Sequence, residues 1–203
     1  MIKIKFLISI LKSYKKKLIK IFFFEIYYSI KYLLSGNYYK IQNDNLRTDT
    51  IPCPYFFIHK ISQFINKKKI RSLIDLGCGF GRITNFLSDS TNAAIYGYEV
   101  DNKVFDIAIK NKKKNVSIKY QDILSADYNS LYIECFVLND PLKREIDLEN
   151  LIKKIELNKY NFNQKYYLIT INIDEKKNYI FKKYKLLKMV FASSAKNVKF
   201  YSN

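Results

Sequence analysis

The segment DLGCGFG, from Asp75 to Gly81, constrains the fold of this chain more than any other part of it. The chain has 203 residues and only five glycines, and three of these lie at Gly77, Gly79 and Gly81. Glycine is needed where the backbone must adopt a conformation, or approach a neighbour, that a Cβ atom forbids. The segment follows the apolar run IRSLIDLG, which predicts a strand, and precedes RITNFLSD, which predicts a helix. Such a strand-to-helix turn lets a ligand lie against the main chain.

The remainder of the chain continues this alternation of strand and helix patterns. Further strands are predicted at 93–100, 116–122, 131–140 and 165–173, and helices at 82–89, 102–111 and 146–157. This order predicts a Rossmann-like, doubly wound α/β fold with a mostly parallel sheet covered by helices. The segments 185–191 and 197–202 predict a closing antiparallel hairpin. The sheet is therefore expected to have seven strands.

Carboxylates stand at the ends of the first three predicted strands. Asp75 is placed to receive the ammonium group of an amino-acid ligand. Glu99 ends the second strand, where nucleotide-binding βαβ units place an acid on the ribose about 20 residues downstream of the glycine turn. Asp122 is placed to accept from an adenine amino group, with Ile123 packing on the ring. A nicotinamide-type G-x-G-x-x-G would need glycine where Arg82 stands, so the pattern indicates S-adenosylmethionine instead.

The segments DLGCGFG, YGYEVD and QDIL together resemble the class I S-adenosylmethionine-dependent methyltransferases, over about residues 50–202. The resemblance includes the element PCPY (Pro52 to Tyr55), which precedes the first strand in small bacterial methyltransferases. It implies S-adenosylmethionine as the cofactor, with the three segments holding its methionine, ribose and adenine parts. The cofactor-binding residues that it implies are Asp75, Gly77, Cys78, Gly79, Gly81, Glu99, Asp122, Ile123 and Asn139.

The segment NDPL after the fourth predicted strand indicates the acceptor side of the site. Many amino-group methyltransferases have N-P-P-aromatic here, whereas this chain inserts Asp140 and has Leu142 in place of the aromatic residue. Asn139, Pro141 and Tyr55 are candidate substrate-binding residues. The cofactor's sulfonium already activates the methyl group, so the protein mainly aligns the acceptor and excludes water. Asp140 is the candidate general base for a hydroxyl or ammonium acceptor, and binding the substrate or capping the next helix are alternative roles for this carboxylate.

The resemblance implies an enzyme that transfers a methyl group to a hydroxyl or amine of a small-molecule, saccharide or lipid-linked acceptor. Protein-lysine methylation, RNA or DNA methylation and non-catalytic cofactor binding are alternatives. Lys and Arg number 36 against 18 Asp and Glu, a net charge of +18, and such a charge is typical of proteins with anionic partners. The lysines are nevertheless spread along the chain and accompany a general excess of Ile, Asn, Tyr and Phe. A nucleic-acid partner is therefore not favoured.

The cysteines and the single histidine exclude the usual metal and disulfide arrangements. Cys53, Cys78 and Cys135 lie far apart, are odd in number and form no C-x-x-C pair, and His59 has no partner histidine. This usage favours a reducing compartment, so the protein is expected to be cytoplasmic and to hold no metal.

Residues 1–46 are basic and apolar, and they are predicted to form a helical segment ahead of a methyltransferase domain at 47–203. Lys12, Lys20, Glu25 and Lys31 interrupt every apolar run, so neither a spanning helix nor a signal peptide is expected. An amphipathic helix rich in lysine and aromatic residues is typical of proteins that lie on an anionic membrane surface. It is equally typical of a helical cap on the domain's own core. Peripheral membrane binding through residues 1–34 and capping both remain open from the sequence.

Overall fold

In a computed structural model, the structure describes residues 18–32, 40–41, 45–128, 132–160, 165–193 and 196–203. The helices are α1 (Leu18–Lys31), α2 (Tyr55–Lys68), α3 (Arg82–Ser90), α4 (Asn102–Asn111) and α5 (Glu145–Tyr160), followed by a 3-10 helix at Glu175–Phe181. The strands are β1 (Ser72–Leu76), β2 (Ala94–Glu99), β3 (Val116–Tyr120), β4 (Cys135–Leu138), β5 (Tyr167–Ile171), β6 (Lys185–Ser193) and β7 (Lys196–Ser202).

Within these described ranges, seven strands form one sheet in the order β3-β2-β1-β4-β5-β7-β6. The neighbours from β3 to β5 are parallel, whereas β7 pairs antiparallel with both β5 and β6. The predicted Rossmann-like fold with a C-terminal antiparallel hairpin is confirmed. The chain runs from β1 outward to β3 and then crosses to β4 on the other side of β1. Ligands bind at such a reversal, beyond the carboxyl ends of the strands.

The central strands are apolar on both faces because helices cover both sides of the sheet. On one side, Leu73 of β1 belongs to an apolar cluster with Phe86 of α3. On the other side, Ile74 of β1 belongs to a second cluster with Leu151 and Ile155 of α5. All residues of β1 and β4 are buried, which fixes the carboxyl ends of these two strands rigidly.

Helix α1 packs on α2 and α3 through one face. That face carries Ile21, Glu25, Tyr28 and Tyr32, spaced as expected for one side of a helix. The Tyr28 ring centroid lies 4.8 Å from that of Phe86, and the Tyr32 ring stacks on Tyr55 at 5.7 Å. The structure therefore supports the capping interpretation for residues 18–32. Residues 1–17, which carry most of the lysines of the N-terminal segment, lie outside the described residues.

The opposite face of α1 is apolar and open to solvent. Phe23, Tyr27 and Ile30 are 63%, 62% and 67% exposed and follow one another at helical spacing. None of the described helices is both long enough and apolar enough to cross a membrane.

Candidate functional site

A cavity of about 420 Å³ lies beyond the carboxyl ends of β1, β2 and β4, where the chain reversal predicts a ligand site. Its volume is in the range of small-molecule sites. The wall includes Asp75, Gly77, Cys78, Gly79, Glu99, Asp122, Ile123 and Asn139, all of them predicted cofactor residues. Gly81, the residue before α3, does not line the cavity, and a Cβ atom on it would face Thr84 and Asn85 of that helix instead. The structure thus brings most of the predicted set together.

The glycine loop, residues 77–81, is tied to the end of β2. The backbone N–H groups of Gly77 and Cys78 both donate to the carbonyl oxygen of Tyr98, at 3.0 and 2.9 Å. Gly79 has φ = +56°, and a Cβ atom on it would lie 2.8 Å from Cγ2 of Thr50. A side chain is excluded there by backbone conformation and by space together. The loop therefore requires glycine for the physical reason that the sequence indicates.

Glu99 holds this loop with its carboxylate. Its Oε2 accepts from the backbone N–H of Gly79 at 2.9 Å, and its Oε1 accepts from Val100 and Asp101 at 2.9 and 2.8 Å. A carboxylate offers about four acceptor positions, so about one stays available to a ligand. Burial raises the pKa of Glu99, and the three backbone donors act in the opposite direction.

Asp75 is the most unusual group in the cavity wall. It is 1% exposed, and neither of its carboxylate oxygens has a hydrogen-bond partner among the described residues. Burial, followed by the negative charge of Glu99, raises the pKa of Asp75 to about 8. A buried polar group without a partner is costly, and perturbed carboxyls in cavities are typical of functional sites. The arrangement favours a ligand that brings a hydrogen-bond donor or a positive charge to Asp75.

The third carboxylate, Asp122, follows β3 and is partly buried in the wall. Its Oδ1 accepts from the backbone N–H of Leu124 at 2.9 Å, which fixes the turn after the strand. The neighbouring Ile123 is buried and offers the cavity an apolar surface. Asp75 near the end of β1, Glu99 at the end of β2 and Asp122 just after β3 therefore lie along one wall, at the carboxyl ends of three adjacent parallel strands.

At the predicted acceptor edge, Asn139 and Pro141 line the cavity but Asp140 does not. The Asp140 carboxylate instead accepts from Nζ of Lys177 at 2.7 Å, and this buried ammonium also donates to the carbonyl oxygen of Leu142 at 2.6 Å. Asp140 has φ = +38°, so the pair holds a left-handed turn in place. The structure thus places the predicted general base in a structural ion pair, because the turn directs its side chain to the 3-10 helix.

Tyr55 also differs from its predicted role. It is buried, does not line the cavity, and its ring centroid lies 3.7 Å from the guanidinium carbon of Arg82. The ring fills the space between α1 and the start of α3. The structure therefore places Tyr55 in the core and not in the cavity wall.

Residues 46–53, which we name the strap, form a further wall of the cavity. The strap crosses the glycine loop and is held at the acceptor edge. Lys143 N–H donates to Leu46 O at 2.8 Å, and Asn139 Nδ2 donates to Ile51 O at 3.2 Å. At its other side, Lys40 and Arg47 form ion pairs with Asp101, the residue that caps α4. Apart from the start of the PCPY element, no local sequence pattern marks the strap, because the partners of its residues lie far along the chain.

No protein-family model matches the chain. Among curated proteins, it is 34% identical over 83 residues to ribosomal RNA small subunit methyltransferase A of Mesomycoplasma hyopneumoniae (strain 232). This match covers 40% of the chain and 31% of the relative, so the chain spans less than a third of that protein's length.

Solved structures give a more extensive similarity. An N-methyltransferase from Bradyrhizobium japonicum WM9, in complex with S-adenosyl-L-homocysteine, has a TM-score of 0.59 at 12% identity, over 73% of this chain and 87% of that chain. An RNA methyltransferase from Salinibacter ruber, also with S-adenosyl-L-homocysteine, has a TM-score of 0.53 at 18% identity, over 75% and 93%. Magnesium protoporphyrin IX methyltransferase from Synechocystis PCC 6803, with S-adenosylmethionine bound, has a TM-score of 0.55 at 12% identity, over 72% and 77%. The chain has the fold of the class I S-adenosylmethionine-dependent methyltransferases.

Proposed function

We propose that this protein is an S-adenosylmethionine-dependent methyltransferase. The observation that carries the proposal is the buried, unpartnered Asp75 carboxyl beside the glycine loop, in the wall of the cavity. The α-ammonium group of S-adenosylmethionine supplies the positive charge and the hydrogen-bond donors that this carboxyl lacks. The fold and the methyltransferases that share it support the same assignment.

The other residues of the cavity wall fit the methionine, ribose and adenine parts of S-adenosylmethionine. Gly79 allows the methionine part to approach the backbone, and Glu99 keeps an acceptor position for a ribose hydroxyl. Asp122 and Ile123 provide an acceptor and an apolar surface for adenine. Bound there, the cofactor would supply a methyl group on a positively charged sulfur. The chain's own residues bind and orient it, and the strap limits the access of water to the cavity.

We further propose that the acceptor is a hydroxyl or amine of a small molecule, saccharide or lipid-linked compound that enters beside Asn139 and Pro141. The side-chain oxygen of Asn139 can accept a hydrogen bond from such a group, while its side-chain nitrogen donates to the carbonyl oxygen of Ile51. Because Asp140 is paired with Lys177, we assign no general base. An acceptor that is nucleophilic without one, such as a neutral amine, suits this edge best.

RNA is the second candidate acceptor. The local 34% identity to a ribosomal RNA methyltransferase favours it, and the net charge of +18 suits a polyanion. Transfer of labelled methyl from S-adenosylmethionine into a cell lysate would separate the candidates. Label that ribonuclease removes identifies RNA, label that protease removes identifies protein, and label extracted with organic solvent identifies a lipid-linked acceptor. Tight cofactor binding without any transfer would indicate the non-catalytic alternative.

Cofactor binding at pH 7 is expected to release nearly one proton from Asp75. The pKa of Asp75 is about 8, so its carboxyl holds a proton at pH 7 and must lose it to pair with the cofactor's ammonium. Affinity should rise from pH 6 to about pH 8 and then stop rising, because the ligand's α-amino group, with a pKa near 8, also deprotonates. Calorimetry in buffers of different ionisation enthalpy measures this release. Asp75→Asn should abolish it, and a wild-type protein that releases no proton would contradict the ammonium assignment.

Glu99→Ala is expected to weaken cofactor binding by roughly 1 to 3 kcal/mol, the usual cost of losing hydrogen bonds to a charged acceptor. The change removes a ribose acceptor and also frees the backbone N–H groups of Gly79, Val100 and Asp101. Glu99→Gln, which keeps one acceptor oxygen, should lose less. Calorimetry gives the affinities and thermal melting verifies folding. Unchanged affinity in a folded Glu99→Ala protein would show that Glu99 does not hold the ribose.

A further inference from the structure

A buried carboxylate on α1 connects three elements next to the cavity. Glu25 is 1% exposed and forms an ion pair with Arg82, which is 4% exposed. Its Oε2 accepts from Nη2 of Arg82, and its Oε1 accepts from the backbone N–H of Tyr55. The Arg82 guanidinium in turn stacks on the Tyr55 ring. One side chain of the N-terminal helix therefore joins the start of α2 to the start of α3.

Arg82 has an unusual position for a buried cation. It is the first residue of α3, directly after the glycine loop, and it lines the cavity. The positive end of the helix dipole lies there and disfavours a cationic side chain. Arginine cannot relieve this by losing its proton. The negative charge of Glu25 is what compensates both the burial of Arg82 and its place at the helix start.

A buried ion pair of this kind contributes little net stability, because desolvation offsets the attraction between its charges. Removing one partner is much more harmful, since an uncompensated charge is left behind. Without Glu25 the Arg82 guanidinium loses this negative partner, and the balance of forces that holds it against the Tyr55 ring changes. Because Arg82 borders the cavity, its movement changes the space and the charge that a ligand meets.

We propose that Glu25 is a positioning residue for the cofactor site. Through Arg82 it fixes the end of the glycine loop, although Glu25 itself does not line the cavity. The proposal rests on the function proposed above, that this cavity binds S-adenosylmethionine. On this proposal α1 is a determinant of cofactor affinity, although it lies outside the sheet and is separated from β1 in sequence by α2.

The test is a double-mutant cycle read out by calorimetry with S-adenosyl-L-homocysteine. Glu25→Gln is expected to weaken binding at least about tenfold in the wild-type background, the size of a lost charged hydrogen bond. In an Arg82→Met background the same change should alter the affinity less than about twofold, because Glu25 acts through Arg82. An equal factor in both backgrounds, or no effect in the first, would overturn the proposal.

A matched control separates positioning from general stability. Glu134 forms an ion pair with Arg71 at the amino ends of β1 and β4, opposite the cavity. Glu134→Gln should leave the affinity for S-adenosyl-L-homocysteine unchanged, even if the melting temperature falls. A loss of affinity in this control as large as in Glu25→Gln would show that both changes act through stability alone, and the positioning role would be wrong.

A second variant covers the case in which Glu25→Gln does not fold. Combining Glu25→Met with Arg82→Met replaces the buried pair by apolar side chains, a change that proteins usually tolerate. This protein should melt near the wild-type temperature and still bind S-adenosyl-L-homocysteine as weakly as Arg82→Met alone. Wild-type affinity in the double variant would overturn the proposal. If the wild-type protein itself does not bind S-adenosyl-L-homocysteine, it is the proposed function that fails.

Discussion

Gly79→Val is expected to abolish measurable binding of S-adenosylmethionine. Gly79 has φ = +56°, a conformation that is a genuine outlier for a β-branched residue. A Cβ atom there would also lie 2.8 Å from Thr50 of the strap, so the loop or the strap must move. The strain costs about 1 to 3 kcal/mol, before the loss of ligand space is added. Calorimetry with S-adenosyl-L-homocysteine should show at least about a hundredfold loss of affinity.

Gly81→Val is the matched control for this experiment. Gly81 has φ = +79°, so valine strains the backbone there as well, but Gly81 does not line the cavity. We expect this variant to lower the melting temperature and to lose less affinity than Gly79→Val. A folded Gly79→Val protein that binds as tightly as the wild type would remove the central claim that the cofactor lies against this loop.

Deleting residues 1–34 is expected to lower the melting temperature by at least about 10 °C, because a loss of several kcal/mol corresponds to such a shift in a chain of this size. The deletion removes Ile21, Tyr28 and Tyr32 from the apolar cluster over α2 and α3. Each buried apolar side chain contributes about 1.5 to 3 kcal/mol. Arg82 also loses its partner Glu25, which costs about 3 to 5 kcal/mol for a buried pair. Melting curves of both proteins, with and without S-adenosyl-L-homocysteine, measure the effect, and equal curves would contradict the cap.

The outward face of α1 calls for a separate measurement. We propose that Phe23, Tyr27 and Ile30 enter the surface of an anionic membrane, assisted by the lysines of residues 1–20. The full chain should co-sediment with anionic vesicles, bind neutral ones weakly, and be partly released by salt. Changing the three exposed residues to serine leaves the buried face of α1 intact and should weaken this binding without lowering the melting temperature. A full chain that ignores anionic vesicles would refute the membrane proposal and leave the cap untouched.

Local sequence patterns predict the structure best where one pattern by itself determines the backbone. The glycine loop needs positive φ angles, which only glycine adopts easily. The clustering of its three glycines is visible in the sequence without any knowledge of the fold. The strand before the loop is buried along its whole length and mostly apolar, because both faces of the sheet are covered. Glu99 and Asp122 can be placed in the cavity wall from the sequence because parallel strands end at the same edge of a sheet. A residue at the end of such a strand therefore lies beside the residues that end its neighbours.

Local sequence patterns carry least information where the partner of a residue is distant in sequence. Asp140 is predicted as a base because it follows β4, whereas the structure pairs its carboxylate with Lys177, a lysine that no local pattern distinguishes from the others. Tyr55 is predicted to bind the substrate, whereas its neighbours in the structure come from α1 and α3. No motif predicts that residues 46–51 of the strap line the cavity, since only the folded chain brings Thr50 over Gly79.

The position of β7 between β5 and β6 has a consequence for the growing chain. During synthesis, β5 can pair with β4 on one side, but its other edge stays open until residues 196–202 have left the ribosome. The sequence of β5 is YLITI, and an exposed apolar edge of this kind invites pairing between chains. Nascent chains that end between residues 172 and 195 are therefore the species most exposed to aggregation and to capture by chaperones. A truncation within β7 would expose an edge of both β5 and β6, whereas the loss of an edge strand such as β3 would expose an edge of only one neighbour.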